Sequence, residues 1–240
     1  MGYDLSFDPS IPMETAETET DEIVYRISHD LRGSVRALQE LPTWIVEDLQ
    51  KAAIKLPPES NRHLELVASH ACRLDLMLTG LLAYSRVGRM QAIGAVTPRL
   101  TLDEVIDDMS FGLEVKIENR LDRGKCQMGE TDLQSIFSIL ITNAIRFHPT
   151  NSPHIVVSGG PVSEKMWHID VTDDGEGIPE DKREFVLKPM TKLVSRDIDP
   201  GAGMGLAILR KIAWSYRGEV AVLRPKSHTG TTVRVKLTVN

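Results

Sequence analysis

Cysteine is nearly missing from this sequence: 240 residues hold only Cys72 and Cys126. They lie far apart, with no C-x-x-C and no metal-ligand spacing around them, which excludes a disulfide framework and a zinc site and fits a reducing cytoplasm. No excess of positive charge exists either, since 28 Lys+Arg stand against 34 Asp+Glu for a net charge of -6. Without a basic run there is neither a nucleic-acid groove nor a surface suited to anionic lipid, so the expected partners are proteins or small ligands. Long apolar runs are missing as well. The most apolar stretch, "SIFSILITNAI", is broken by Ser, Thr and Asn and falls short of the ~20 residues of a spanning helix, so no membrane insertion is expected. The N-terminus lacks the basic and apolar regions of a signal peptide. Met1-Gly2 with Ser6 matches a myristoylation pattern, but the acidic neighbours offer no second membrane signal.

What is present divides the chain in three. Residues 1–20 are acidic and Pro/Thr-rich and are expected to form a flexible tail. Residues 21–92 are helical in pattern. Ile27, Leu31, Val35, Leu38, Ile45 and Leu49 recur mostly three, four or seven apart up to the breaker "KLPPESN"; Leu64, Val67, Ala71, Leu74, Leu78 and Leu81 then step by three and four. Two helices joined by a short loop cannot enclose a core alone. The hairpin is therefore expected to pair with a second copy as a dimeric four-helix bundle, the alternative being packing on the rest of its own chain. Residues 93–240 have mixed texture. "RLTLDEVIDDMSFGLE" reads as a strand running into a helix, "ETDLQSIFSILITNAIRF" as a buried helix, and "MGLAILRKIAWSY" as a helix ended by Gly218. "HIVVSGG", "KMWHIDVTDD", "EVAVLRP" and "TTVRVKLTV" read as strands, predicting an α+β sandwich.

Three clusters in this last part carry chemistry: "NAIRFH" (143–148) at a helix end, "DDGEGIP" (173–179) after a strand, and "GAGMGLAI" (201–208) opening a helix. A glycine-rich turn at a helix N-terminus offers free N–H groups and the positive end of a dipole to phosphate, and Gly201, Gly203 and Gly205 allow close approach. Asp173 can accept a hydrogen bond from an exocyclic amine, and Asn143 offers a neutral oxygen to Mg²⁺. Taken singly, Gly175 and Gly177 could be turn residues and Asn143 a helix residue bonding its own backbone. The other histidines and Trp44, Trp167 and Trp214 read as surface and packing residues.

In this order and spacing, the clusters resemble the N, G1 and G2 boxes of the ATP-binding domain shared by histidine kinases and certain chaperone and topoisomerase ATPases. "SHDLRGSVRAL" looks like the H box of a sensor histidine kinase, and "LLAYSRVGR" is similar to the bacteriophytochrome-like group. The helical period agrees, because His29 stands two residues, about 200°, from both Ile27 and Leu31 and so projects away from the seam. The resemblance implies a cytoplasmic, homodimeric enzyme that transfers the γ-phosphoryl group of ATP to His29, with Asp30 as its general base, and then to an aspartate of a response regulator. It further implies Mg²⁺ on Asn143, Arg146 and His148 near the phosphates, Asp173 on adenine, and a nucleotide lid over residues 179–200 carrying Lys192. The chain departs from the pattern at Ser34 in place of proline, at Ile139 in place of asparagine, at Leu187 and Met190 in place of two lid phenylalanines, and at Gly33, where regulator-dephosphorylating kinases carry Thr or Asn. The alternative reading is a catalytically weak dimeric phosphotransfer adaptor that uses His29 without nucleotide.

Overall fold

In a computed structural model, the chain forms two compact units, Met1–Arg86 and Val87–Asn240. The structure describes residues 13–88, 91–109, 114–150, 152–194, 201–225 and 229–238, with side chains from residue 21.

The first unit is a hairpin of α1 (Met13–Lys51) and α2 (Pro58–Arg86). Helix begins at Met13, inside the stretch expected to be a flexible tail, because "METAETET" is rich in good helix formers that extend the following amphipathic run. Residues 1–12, with the myristoylation pattern, lie outside the described residues. Within the hairpin, Ser28 and Val35 of α1 are buried, seven apart, as are Ala71, Leu78, Leu82 and Ser85 of α2. A neighbouring apolar stripe stays on the surface: Ile27, Leu31, Leu38, Ile45, Val67 and Leu74 are between 43% and 54% exposed. By length and mean hydropathy α2 is apolar enough to cross a membrane, contrary to the expectation from contiguous runs. Arg73 and Asp75 lie in its middle, where each charge would cost about 2.5–3.5 kcal/mol at a bilayer centre.

The second unit begins at Val87, rather than at residue 93, because Val87 packs on its core and Gly88, at φ 75°, sits against Ser215. Its elements are β1 (Gly94–Val96), α3 (Pro98–Asp108), β2 (Lys116–Leu121), β3 (Cys126–Met128), α4 (Glu130–Arg146), β4 (His154–Ser163), β5 (Met166–Thr172), α5 (Gly205–Ser215), β6 (Glu219–Leu223) and β7 (Thr232–Thr238). The strand expected at the head of "RLTLDEVIDD" is helix instead: Pro98, with its preset φ, starts α3, and the strand falls before it as β1. The main sheet has the order β2-β4-β5-β7-β6, with β2–β4 parallel and the remaining pairs antiparallel.

Period-2 alternation gives the sheet its two faces. On β5, Trp167, Ile169 and Val171 are buried in the core with Phe137 and Ile141 of α4 and Leu209 and Ile212 of α5. On the opposite face Asp170 accepts two hydrogen bonds from Arg234, at 2.8 and 2.6 Å. Trp44 and Trp214, expected to pack, are half-exposed, and Trp214 lies under the Arg210 guanidinium. Cys126 is buried, which pushes its thiol up to about 12 and leaves it unreactive.

The end of α5 shows why Gly218 is needed. The helix closes by N–H donation from Gly218 to the Ala213 carbonyl and from Arg217 to the Trp214 carbonyl, and the left-handed residue is Arg217 (φ 51°), not the glycine. Gly218 serves instead a close approach, since a Cβ there would stand 1.9 Å from the Lys236 carbonyl oxygen on β7.

Candidate functional site

In the hairpin, His29 has a side chain 65% exposed, and its Nδ1–H donates to Asp30 Oδ1 at 3.3 Å. Because a carboxylate only accepts, this contact selects the tautomer in which Nε2 keeps its lone pair. The Tyr25 ring, one turn earlier, stacks beside the imidazole at 6.2 Å, and Arg86 of α2 lies 5.3 Å over Tyr25 and donates to its hydroxyl at 3.5 Å. Neither Tyr25 nor Arg86 was singled out from sequence, although i, i+4 spacing puts Tyr25 on the histidine's face. An open depression is lined by His29, Asp30, Arg32, Gly33 and Arg36.

In the second unit, β5 ends directly at Asp173. Its Oδ1 accepts the backbone N–H groups of Gly175 at 3.0 Å and Thr231 at 3.1 Å, leaving Oδ2 out of both bonds. Burial pushes this carboxyl up from the ordinary range, against the two backbone donors, which lower it. The turn is built on close backbone approach. A Cβ on Gly177, at φ 85°, would meet the Gly230 carbonyl oxygen at 2.7 Å, and one on Gly230 would meet that of Asp173 at 2.0 Å. Thr231 is the residue that sequence reasoning missed; "TGTT", a glycine before an alternating strand, was its available signal.

His148 lies at this turn rather than at the glycine-rich one. Its ring is 8% exposed, Nε2 is 3.3 Å from Asp174 Oδ1, Nδ1 meets Thr150 Oγ1 at 3.2 Å, and Cδ2 would stand 3.6 Å from a Cβ on Gly175. Asp174 also accepts the His154 N–H at 2.9 Å, while the His154 ring reaches Glu118 at 2.7 Å.

The glycine-rich turn at the start of α5 gathers the other expected residues. A Cβ on Gly201 would stand 2.5 Å from Arg146 Nη1; one on Gly203, at φ 68°, 2.5 Å from the Thr191 carbonyl oxygen; and one on Gly205, 3.2 Å from Ile139 and 3.8 Å from the Asn143 amide. Thus Asn143 and Arg146 of α4 meet Gly201 and Gly205, and Thr191 brings its half-buried neighbour Lys192 to the same turn. Ile139, where the pattern has asparagine, packs on Gly205. The described part of the lid contains two short 3₁₀ turns, Glu180–Lys182 and Phe185–Leu187. Leu187 is buried and Met190, in a left-handed conformation at φ 60°, is exposed. Lid residues 195–200 lie outside the described residues.

A half-buried carboxylate with one oxygen to spare, at one cluster, and side-chain-free glycines facing an amide and a guanidinium, at the other, suit a purine amine and a polyphosphate. The family described as histidine kinase-, DNA gyrase B- and HSP90-like ATPase matches residues 128–240. This region is a histidine-kinase-type ATP-binding domain. Among proteins similar to the chain, cyanobacterial phytochrome A of a Nostoc species is 26% identical over 220 residues, covering 88% of this chain and 27% of that protein. Sensor histidine kinase CpxA of Escherichia coli is 27% identical over 217 residues, covering 87% of this chain and 45% of that protein. The chain therefore spans between about a quarter and a half of these curated relatives. In fold it is similar to full-length ShkA crystallised with AMPPNP (TM-score 0.65, 18% identity, 91% of this chain and 46% of that one). It is also similar to histidine kinase AdeS of Acinetobacter baumannii (TM-score 0.55, 16% identity, 86% and 98%). The ATP-binding domain is thus preceded, as in the sequence expectation, by a helical hairpin that carries His29.

Proposed function

We propose that this chain is the core of a cytoplasmic, homodimeric two-component histidine kinase that phosphorylates His29 from ATP and passes the phosphoryl group to a response-regulator aspartate. The observation that carries the reading is the exposed His29, its proton held on Nδ1 by Asp30, in one chain with an ATP-binding domain. The neutral imidazole attacks the γ-phosphorus through Nε2, the bond to the β,γ-bridging oxygen breaks, and ADP leaves with that oxygen. Asp30 accepts the Nδ1–H and stabilises the positive charge that develops on the ring. Asp173 would bind adenine through Oδ2, Asn143 would hold Mg²⁺, and Arg146, Lys192 and the turn from Gly201 to Gly205 would bind the phosphates. Mg²⁺ supplies charge neutralisation on the phosphates, and most of the remaining catalysis is positioning. The exposed apolar stripe of the hairpin supports the dimer, because pairing two copies would bury Leu38, Ile45 and Leu74.

The test is incubation with radiolabelled ATP and Mg²⁺. The expected product is an acid-labile, alkali-stable label that His29→Gln abolishes while nucleotide binding persists; undiminished labelling of that variant would overturn the assignment. The adaptor reading requires a nucleotide site free to decay, and the packed geometry of Asp173, Gly175, Gly177, Gly203 and Gly205 speaks against it.

A further inference from the structure

We propose that Arg36, which lines one depression with His29, Gly33 and Arg32, binds the phosphoryl group that His29 carries. The inference rests on the reading of His29 as the phosphoryl acceptor and adds the residues that hold the group once it is there.

The helix geometry places the parts. At about 100° per residue, Gly33 and Arg36 fall within about 40° of His29 around α1, and Arg36 lies about 10 Å further along the axis. Side chains on a helix tilt toward its N-terminus, so a residue two turns on covers the turn before it. Arg36 is therefore placed where its side chain can swing over position 33. There the surface is bare, because Gly33 has no side chain and nothing lies within 4 Å of where its Cβ would be. The resulting depression opens from His29 to Arg36. On the N-terminal side the imidazole is flanked by the Tyr25 ring, so the Gly33 side is the one left for a group on Nε2.

The charges agree. Among the described residues, neither Arg32 nor Arg36 has a carboxylate or hydrogen-bond partner, and Arg32 Nε is buried without one. Elsewhere on the hairpin, Arg26 is paired with Glu22 at 2.6 Å and Arg86 lies over Tyr25, while Arg73, whose Nε is likewise buried without a partner, does not line the depression. The one carboxylate in the depression, Asp30, is turned to Nδ1 of His29. Two uncompensated guanidiniums beside a nucleophilic imidazole, with a gap the size of a side chain between them, suit a phosphoryl dianion. Glycine weakens a helix interior, and here the open space over Gly33 leaves room for Arg36 to swing toward a phosphoryl group on the imidazole.

Phosphoramidate tests this without nucleotide. His29 Nε2 attacks its phosphorus, the P–N bond breaks, ammonia leaves with the bonding pair, and Nδ1–H stays on Asp30. The ³¹P resonance of the phosphohistidine is then titrated against pH. In the wild-type protein the two guanidiniums favour the dianion, so the midpoint should lie about one unit below that of Arg36→Gln. Arg36→Lys should keep part of the shift, and Gly33→Leu, which fills the gap and strengthens the helix, should behave like Arg36→Gln. Equal midpoints in wild type, Arg36→Gln and Gly33→Leu overturn the proposal. So does a wild-type protein that ATP labels at His29 but phosphoramidate does not. Loss of labelling by both donors instead overturns the reading of His29 itself, and this inference with it.

Discussion

Thr231 donates its backbone N–H to Asp173 Oδ1 at 3.1 Å, and Asp173 returns its own N–H to the Thr231 carbonyl at 2.9 Å. The start of β7 thus holds the carboxylate at the end of β5 from both sides, extending the Thr172–Thr232 register by one rung. Asp173→Asn replaces an oxygen acceptor by an amide that cannot serve both backbone donors and the ligand. Nucleotide affinity is expected to fall by about 1–3 kcal/mol, measured by calorimetry. An unchanged affinity would remove Asp173 from the base pocket.

Asp30→Asn tests the other unit. The amide can no longer stabilise the proton on Nδ1, so the rate of His29 labelling from ATP should fall by about 10²–10⁴-fold. Nucleotide affinity should stay as in wild type, and a parallel loss of both would show that Asp30 acts on folding instead.

Tyr216 ties α4 to the end of α5: its hydroxyl donates to Asp132 Oδ2 at 2.9 Å and accepts the Gly129 N–H at 2.8 Å. Tyr216→Phe leaves the buried Gly129 N–H unpartnered, removes one of the hydrogen bonds to the Asp132 carboxyl, and should cost about 1–3 kcal/mol in urea unfolding. Its pH dependence has a sign. Burial pushes the Asp132 carboxyl up, and the hydrogen bonds from Tyr216 and Gln91 lower it again. A raised carboxyl contributes stability that is full below the ordinary carboxylate range and is lost as pH rises through its value in the fold. Without the hydroxyl that value rises further, so the loss in Tyr216→Phe should extend to higher pH than in wild type.

The two apolar stripes of the hairpin predict different failures. Leu38→Glu with Leu74→Glu alters only exposed positions and should give folded monomers by light scattering at micromolar concentration, with ATP binding intact. Leu78→Glu puts a charge in the buried stripe and should melt the hairpin, read by circular dichroism. A wild-type monomer under the same conditions would end the dimer proposal.

Gly33→Thr probes a reaction that the proposed kinase is expected to perform poorly. Glycine has no group with which to align a water for in-line attack on a phosphorylated regulator. His29→Ala protein, which cannot accept phosphoryl back, should leave regulator phosphate intact, and adding Gly33→Thr should hasten its loss. Rapid loss with His29→Ala alone would show that the water is positioned elsewhere.

The periodicity of 3, 4 and 7 residues was enough to read the hairpin, because a helix repeats along the chain. The alternation of "TTVRVKLTV" was enough for β7, because a strand repeats every second residue. The boxes around Asn143, Asp173 and Gly203 were legible for a related reason: each is a local run in which glycine or a carboxylate must stand at a fixed offset. The His148 ring turns to Asp174, and nothing local in the sequence tells whether a ring after α4 turns there or to Gly201. Thr231 was missed, since it acts through a backbone N–H that any residue possesses, and its importance comes from lying opposite Asp173.

By itself, the sequence determined most of the helices and strands (though not the helix over Pro98–Asp108 or the start of α1 at Met13), where the backbone needs glycine, and which residues carry a lone pair or a charge; these are properties of one residue and its near neighbours. Only the tertiary structure decided that Val87 belongs to the second core, that Val35 and Leu78 go inside while Leu38 and Leu74 stay out, and that Thr231 holds Asp173. Those outcomes depend on which surfaces meet across long loops, and the identity of the facing residue is set by packing geometry rather than by anything within reach along the chain.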